Sequence, residues 1–202
     1  QIFGMRNHMG LTGAQAAERV LHGAGIYDVR IERVAGNLTD HYDPRNKVLR
    51  LSDATYGQCS VAAVGVAAHE CGHAIQHARG YAPLQFRSAL VPVANFGSMI
   101  AWPLIVLGLF INSQSSALLI NIGILAFFAG SIVSLVTLPV EYNASGRAVR
   151  ILAETGMLQG EEIVATKKVL NAAALTYVAS AAAAILQLVR ILILTGGRRR
   201  DD

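Results

Sequence analysis

The sequence predicts a mainly α-helical, membrane-embedded protein, with a small antiparallel β-sheet near its start and a transmembrane helical hairpin in its middle. Three observations carry this. From Ser88 to Val140 there is no Asp, Glu, Lys, Arg or His, a run about twice the ~20 residues that cross a bilayer. Hydrophobic residues make up 53% of the chain and charged residues 15%, against roughly 25% charged in a soluble domain. The residues before that run have the mixed composition of a soluble domain, and one helix there carries two histidines and a glutamate.

The elements follow in order. Thr12 and Gln15 have the spacing of a capping box, in which each side chain satisfies a free backbone N–H. Ala14, Ala17, Val20 and Leu21 recur at helical spacing, and Gly23 or Gly25 ends the run. Tyr27 to Val34 and Lys47 to Leu51 alternate as strands do, with Asp43-Pro44-Arg45-Asn46 as a turn between them. Two or three antiparallel strands are expected, one ending near Tyr42. Ser52 or Asp53 can cap the next helical region. Ser60 to Arg79 then reads as a central helix, apolar on nearly every face and therefore buried.

The uncharged run divides at Asn112-Ser113-Gln114-Ser115-Ser116 into two transmembrane helices, about Ala89–Ile111 and Ala117–Val140. Glu141 to Gln159 is polar and helical by pattern, ending near Gly156. A third apolar run, Val169 to Val189, either spans the bilayer or packs as a buried helix against the hairpin. The expected organisation is a first part (1–87), the hairpin (88–140), a helix completing the site (141–168), a third apolar helix (169–195) and a charged tail (196–202).

The net charge of +4 is mild, and much of it flanks apolar segments. It therefore bears on membrane orientation rather than on nucleic acid, which is not expected as a partner. Cys59 and Cys71 are too few for a disulfide framework and are expected as buried thiols in a reducing compartment.

The chemistry is concentrated in His69-Glu70-Cys71-Gly72-His73. Two histidines four apart share one helix face, so both imidazoles can reach one ion. Zinc takes such ligands and keeps a position open for water. Glu70 is placed to take a proton from that water as general base. Cys71 lies on a different face. A third ligand is required. Gln76 and Arg79 stand where a metzincin would have Gly and His, so a later carboxylate is expected, from Glu141, Glu154, Glu161 and Glu162. The His helix precedes the hairpin and Glu141 follows it. A hairpin returns the chain to the side it left, which favours Glu141.

The sequence resembles the bacterial membrane neutral zinc metallopeptidases, the YugP-like family. The resemblance is carried by Leu38-Thr39-Asp40-His41-Tyr42-Asp43-Pro44, by Val66 to His77, by Tyr81-Ala82-Pro83-Leu84, and by Leu138 to Ser145. It covers nearly the whole chain, although family members usually begin with a further apolar helix that this sequence lacks. More distantly the chain is similar to the HtpX and CAAX-prenyl endopeptidase gluzincins, in which a membrane hairpin separates H-E-x-x-H from a liganding Glu within E-x-x-x-D. That likeness implies a minimal gluzincin domain interrupted by the hairpin. Here Ser145 stands at the Asp position, so Asn143 or Ser145 is expected to support a metal-bound histidine in its place. In related folds an edge strand pairs with extended substrate, which makes His41 and Tyr42 candidates for substrate binding. His77 could be a further imidazole on the ligand face or a helix-end His with a hydrogen bond, and Tyr142 a candidate for the oxyanion.

The function expected is that of an integral-membrane zinc metallopeptidase with one Zn2+ per chain, acting on a peptide or membrane-protein substrate. The alternative is a zinc-stabilised membrane scaffold or assembly factor without turnover; the intact Glu70 argues against it, because zinc binding alone does not need that residue. Arg79 and Arg87 precede the hairpin, Arg147, Arg150, Lys167 and Lys168 follow it, and its turn is uncharged. The site is therefore expected on the cytoplasmic side of a bacterial cell membrane, although Arg198-Arg199-Arg200 would break the rule if the third run spans.

Overall fold

The structure is a computed structural model describing residues 4–111 and 114–196. Its first helix, α1 (Gly13–Gly23), opens with the expected capping box. The Thr12 hydroxyl accepts from the Gln15 amide at 3.2 Å, and Gln15 Oε1 accepts from the Thr12 amide at 3.0 Å. Ala24 ends the helix, and Gly25 follows at φ 76°, a left-handed turn that a residue without Cβ adopts at little cost.

Three strands follow: β1 (Arg30–Val34), β2 (His41–Asp43) and β3 (Val48–Ser52). The Asp43 carboxylate turns the chain between β2 and β3 by accepting from the amides of Arg45 at 3.0 Å and Asn46 at 3.3 Å. The expected antiparallel sheet is corrected to a mixed one, in the order β1-β3-β2. β3 pairs antiparallel with its hairpin partner β2 and parallel with β1. The physical reason is burial. Val48, Leu49, Leu51 and Ser52 of β3 are all buried, so β3 takes the centre, between the two more exposed strands. Once β3 lies between β1 and β2, its direction relative to β1 is set by the route from β1 to β2, which sequence alternation does not report.

A short helix, α2 (Asp53–Tyr56), leads to α3 (Val61–Ala78). The Ser60 hydroxyl caps α3 by accepting from the Ala63 amide at 3.1 Å. Most of α3 is buried, as its apolar faces predict. Three long helices complete the chain: α4 (Ala82–Phe110), α5 (Ser116–Glu154) and α6 (Glu161–Gly196). All three are long and apolar enough to cross a membrane. α5 runs unbroken through Pro139 and Glu141, so the apolar run and the polar stretch after it are one helix. Proline removes a single donor there, a loss that long apolar helices absorb. Asn112, Ser113 and the tail from residue 197, with Arg198-Arg199-Arg200, lie outside the described residues.

The chain forms two compact units. Among the described residues, the first comprises 4–81 and 140–175, the second 82–111, 114–139 and 176–196. In the first, Leu21, Leu49, Leu51, Val64, Ala68, Leu152 and Leu158 belong to one buried core. In the second, α4 and α5 pack as an antiparallel pair. A Cβ at Gly97 would meet Ala126, at Gly108 would meet Ile120, and at Gly123 would meet Ile105. Trp102 meets Phe127 edge-on, with ring centroids 5.5 Å apart.

Candidate metal centre

The site is built within the first unit by α3 and the last part of α5. His69 and His73 are one helical turn apart on α3, with ring centroids 4.8 Å apart. Glu141 is buried on α5. His69 Nε2 lies 2.9 Å from Glu141 Oε2, and His73 Nε2 lies 3.4 Å from Glu141 Oε1. One ligand atom from each of the three residues falls within 4.8 Å of the others. Two imidazole nitrogens and one carboxylate oxygen form a donor set that suits zinc and leaves a coordination position free.

The far nitrogens are also held. His69 Nδ1 is 2.8 Å from the Ser145 hydroxyl, and His73 Nδ1 is 3.0 Å from Gln76 Oε1. Each ring therefore has its Nδ1 tethered and its Nε2 turned to Glu141, the arrangement that a metal-binding histidine needs. The residues fit the ion on this count as well as on donor type.

Close approach of the two helices depends on Gly72. A Cβ there would lie 2.6 Å from the carbonyl oxygen of Ala144. The second variable position of the motif is thus the point where the α5 backbone rests against α3, three residues from Glu141. Any side chain would push α5 away and take the carboxylate with it.

Glu70 is partly buried. Burial pushes its carboxyl above the ordinary glutamate range, against the opposing pull of His73 and His69. Cys71 faces away from the cluster: its thiol is buried, reaches the Ala17 carbonyl at 3.6 Å, and is pushed up by desolvation. Glu154, Glu161 and Glu162 stay outside the cluster. Glu162 instead pairs with His8 at 2.5 Å.

His41 and Tyr42 lie on β2, an edge strand of the sheet. The Tyr42 hydroxyl is 2.8 Å from His77 Nδ1, and burial, then Asp28 and Asp43, raises that phenol to about 12. His77 is therefore joined to the edge strand rather than to the three ligand candidates. His41 Nδ1 faces the Thr39 carbonyl at 2.7 Å. Tyr142 is half exposed and lines an open cavity of about 520 Å³ with Ser145 and Asn171. Ser145 touches His69 directly. Asn143 does not touch either histidine and instead bonds Gln76.

Sequence reasoning missed Gln76 and Gly72 as parts of the site. In the sequence, Gln76 marks the absence of a metzincin pattern and falls within the Val66–His77 stretch of the resemblance, with no role of its own at the site. Its spacing from His73, three positions on one helix face, was the available signal.

A His-Glu-x-x-His helix met by a carboxylate from a second helix is the arrangement of zinc metallopeptidases. The chain belongs to the family described as "putative neutral zinc metallopeptidase", whose family model matches residues 2–196. It is 45% identical over 190 residues to the "putative membrane protease YugP" of Bacillus subtilis (strain 168), a match covering 94% of this chain and 83% of that protein. No solved structure matches the chain.

Proposed function

We propose that this chain is an integral-membrane zinc metalloendopeptidase of the gluzincin type, hydrolysing peptide bonds in peptide or membrane-protein substrates. The observation that supports it best is the convergence of His69, His73 and Glu141, with Glu70 between the two histidines on α3. A zinc ion held by those three residues would polarise the scissile carbonyl and acidify a water molecule. Glu70 takes the proton at its carboxylate and later delivers it to the leaving amine. A carboxyl raised by burial holds a proton more readily than an exposed one, which suits a group that first accepts and then donates. The open backbone edge of β2 offers an extended substrate main-chain hydrogen bonds, with His41 and Tyr42 on that strand.

The reading extends to orientation. Arg79, Arg87, Arg147, Arg150, Lys167 and Lys168 flank the uncharged run, and the positive-inside rule then puts the site on the cytoplasmic side. Cys59 and Cys71 are unpaired, in keeping with a reducing compartment.

Glu70→Gln tests the mechanism. The variant should retain zinc by elemental analysis while cleavage of casein falls about 10²- to 10⁴-fold, the range for loss of a general base. Cleavage at the wild-type rate would remove Glu70 from the mechanism.

A further inference from the structure

Gln76 is among the largest fully buried side chains of the protein, at 0% exposure. A buried primary amide is costly unless its hydrogen-bonding groups are matched. Gln76 Oε1 faces His73 Nδ1 at 3.0 Å, and its Nε2 faces the Val140 carbonyl at 2.8 Å and Asn143 Oδ1 at 3.0 Å. Asn143 Oδ1 is also 2.8 Å from Arg147 Nε.

The polarity of this chain of contacts follows from its two ends. A guanidinium only donates, so the Asn143 atom facing Arg147 is the acceptor oxygen. A backbone carbonyl only accepts, so the Gln76 atom facing Val140 is the donor nitrogen. Both constraints orient the Gln76 amide in the same sense and leave its oxygen for His73. His73 Nδ1 must then carry a proton and donate it, so in the neutral ring Nε2, on the Glu141 side, keeps the lone pair that a metal ion would take. Arg147 is held in turn, with its guanidinium 5.7 Å from the centre of the Tyr81 ring. The other histidine receives no such instruction. The Ser145 hydroxyl beside His69 Nδ1 can donate or accept.

We infer that Gln76, oriented by Asn143 and Arg147, is a positioning residue that sets the tautomer and ring direction of His73 for metal binding. This rests on the reading of His69, His73 and Glu141 as the zinc site. The same side chain ties α3 to the α5 carbonyl immediately before Glu141, so one amide holds His73 and the segment carrying the third ligand in register. The arrangement supplies, on the His73 side, support that a lone serine gives less firmly on the His69 side.

The test uses the full chain purified in detergent, with zinc affinity read by chelator competition and folding read separately from thermal unfolding of the metal-free protein. Gln76→Met keeps the volume and leaves only the His73 Nδ1 proton without a partner, since Val140 O remains within a helix and Asn143 remains bonded to Arg147. It should weaken zinc binding about 10- to 100-fold, the usual cost of losing a partner of a metal-bound histidine. Asn143→Leu, which leaves the Val140 contact intact, should cost less, within about ten-fold. In the cobalt-substituted protein, proton NMR should show two shifted, exchangeable imidazole N–H resonances, and Gln76→Met should broaden one of them away by solvent exchange. If Gln76→Met does not fold, Asn143→Leu carries the same two readouts. Wild-type zinc affinity with both resonances intact in the folded variant would overturn the inference, even if its unfolding temperature fell. His69→Ala separates the underlying reading: zinc retained in that variant would sink the metal site itself, whereas zinc lost there but kept in Gln76→Met would sink the positioning role alone.

Discussion

Leu51 and Leu125 are the same side chain in opposite surroundings. Leu51, on the central strand of the first unit, is 0% exposed, while Leu125, on α5 in the second unit, is 66% exposed. The contrast is general. The first unit buries Leu21, Leu49, Val64 and Leu152 in one core, whereas Met99 and Phe110 of the second are 72% and 85% exposed. A chain fitted to two solvents would show this contrast. Water drives apolar groups inward in the first unit, and hydrocarbon would leave them with no reason to turn inward in the second. Polar chemistry follows the same division. The buried His73, Gln76 and Glu141 belong to the first unit, where protein partners match them.

The sharpest way to break this comparison is to ask which compartments the chain touches. Single cysteines at Ser115 and at Gln159, in a background lacking Cys59 and Cys71, should respond oppositely to an impermeant thiol reagent applied to intact cells. Ser115 should label and Gln159 should not. The reverse pattern would move the site to the outer face, and labelling of both would remove the hairpin from the bilayer.

A smaller effect separates the two solvents energetically. Leu51→Ala removes packing in a closed core and should cost about 2–5 kcal/mol of stability. Leu125→Ala exchanges one apolar surface for another against lipid and should cost less than about 1 kcal/mol, because acyl chains are as apolar as leucine. Unfolding both variants in lipid bicelles compares them directly, and equal losses would mean that Leu125 is packed against protein.

A more local change tests the place where α3 and α5 touch. Gly72→Ala adds one methyl at a backbone contact, which should cost about 1–3 kcal/mol as overpacking and weaken zinc binding through displacement of Glu141. Chelator competition on the folded variant would show it. Unchanged affinity would mean that α5 moves as a rigid piece without carrying the carboxylate out of reach.

How much of this was legible beforehand varies by element. The capping box at Thr12 and Gln15, the central helix and the long apolar helices were all local patterns, and local patterns survive folding. The turn at Asp43 was legible because aspartate bonds its own following amides. The sheet was only half legible. Alternation marks a strand but says nothing of which neighbour it pairs with, and the parallel pairing of β1 with β3 depends on the path the chain takes between them. The apolar run to Val140 and the polar stretch after it are one helix, because polarity changes there while the helical backbone does not.

The candidate site divides in the same way. His69, Glu70 and His73 share a helix, so spacing alone places them together, and sequence sufficed to name them. Glu141 lies 72 positions beyond His69 and could be reached from sequence only by supposing that a hairpin returns the chain. Gln76, Asn143 and Arg147 could not be given roles that way. Their roles are matters of direction, of which amide atom faces which partner, and direction is a property of three-dimensional hydrogen bonds. The sequence by itself determined the class of chemistry and the helices that house it, because residue type and helical period are enough for that. The tertiary structure decided which carboxylate meets the histidines and how they are held, because donors and acceptors from distant segments define a geometry only when packing brings them within about 3 Å of one another.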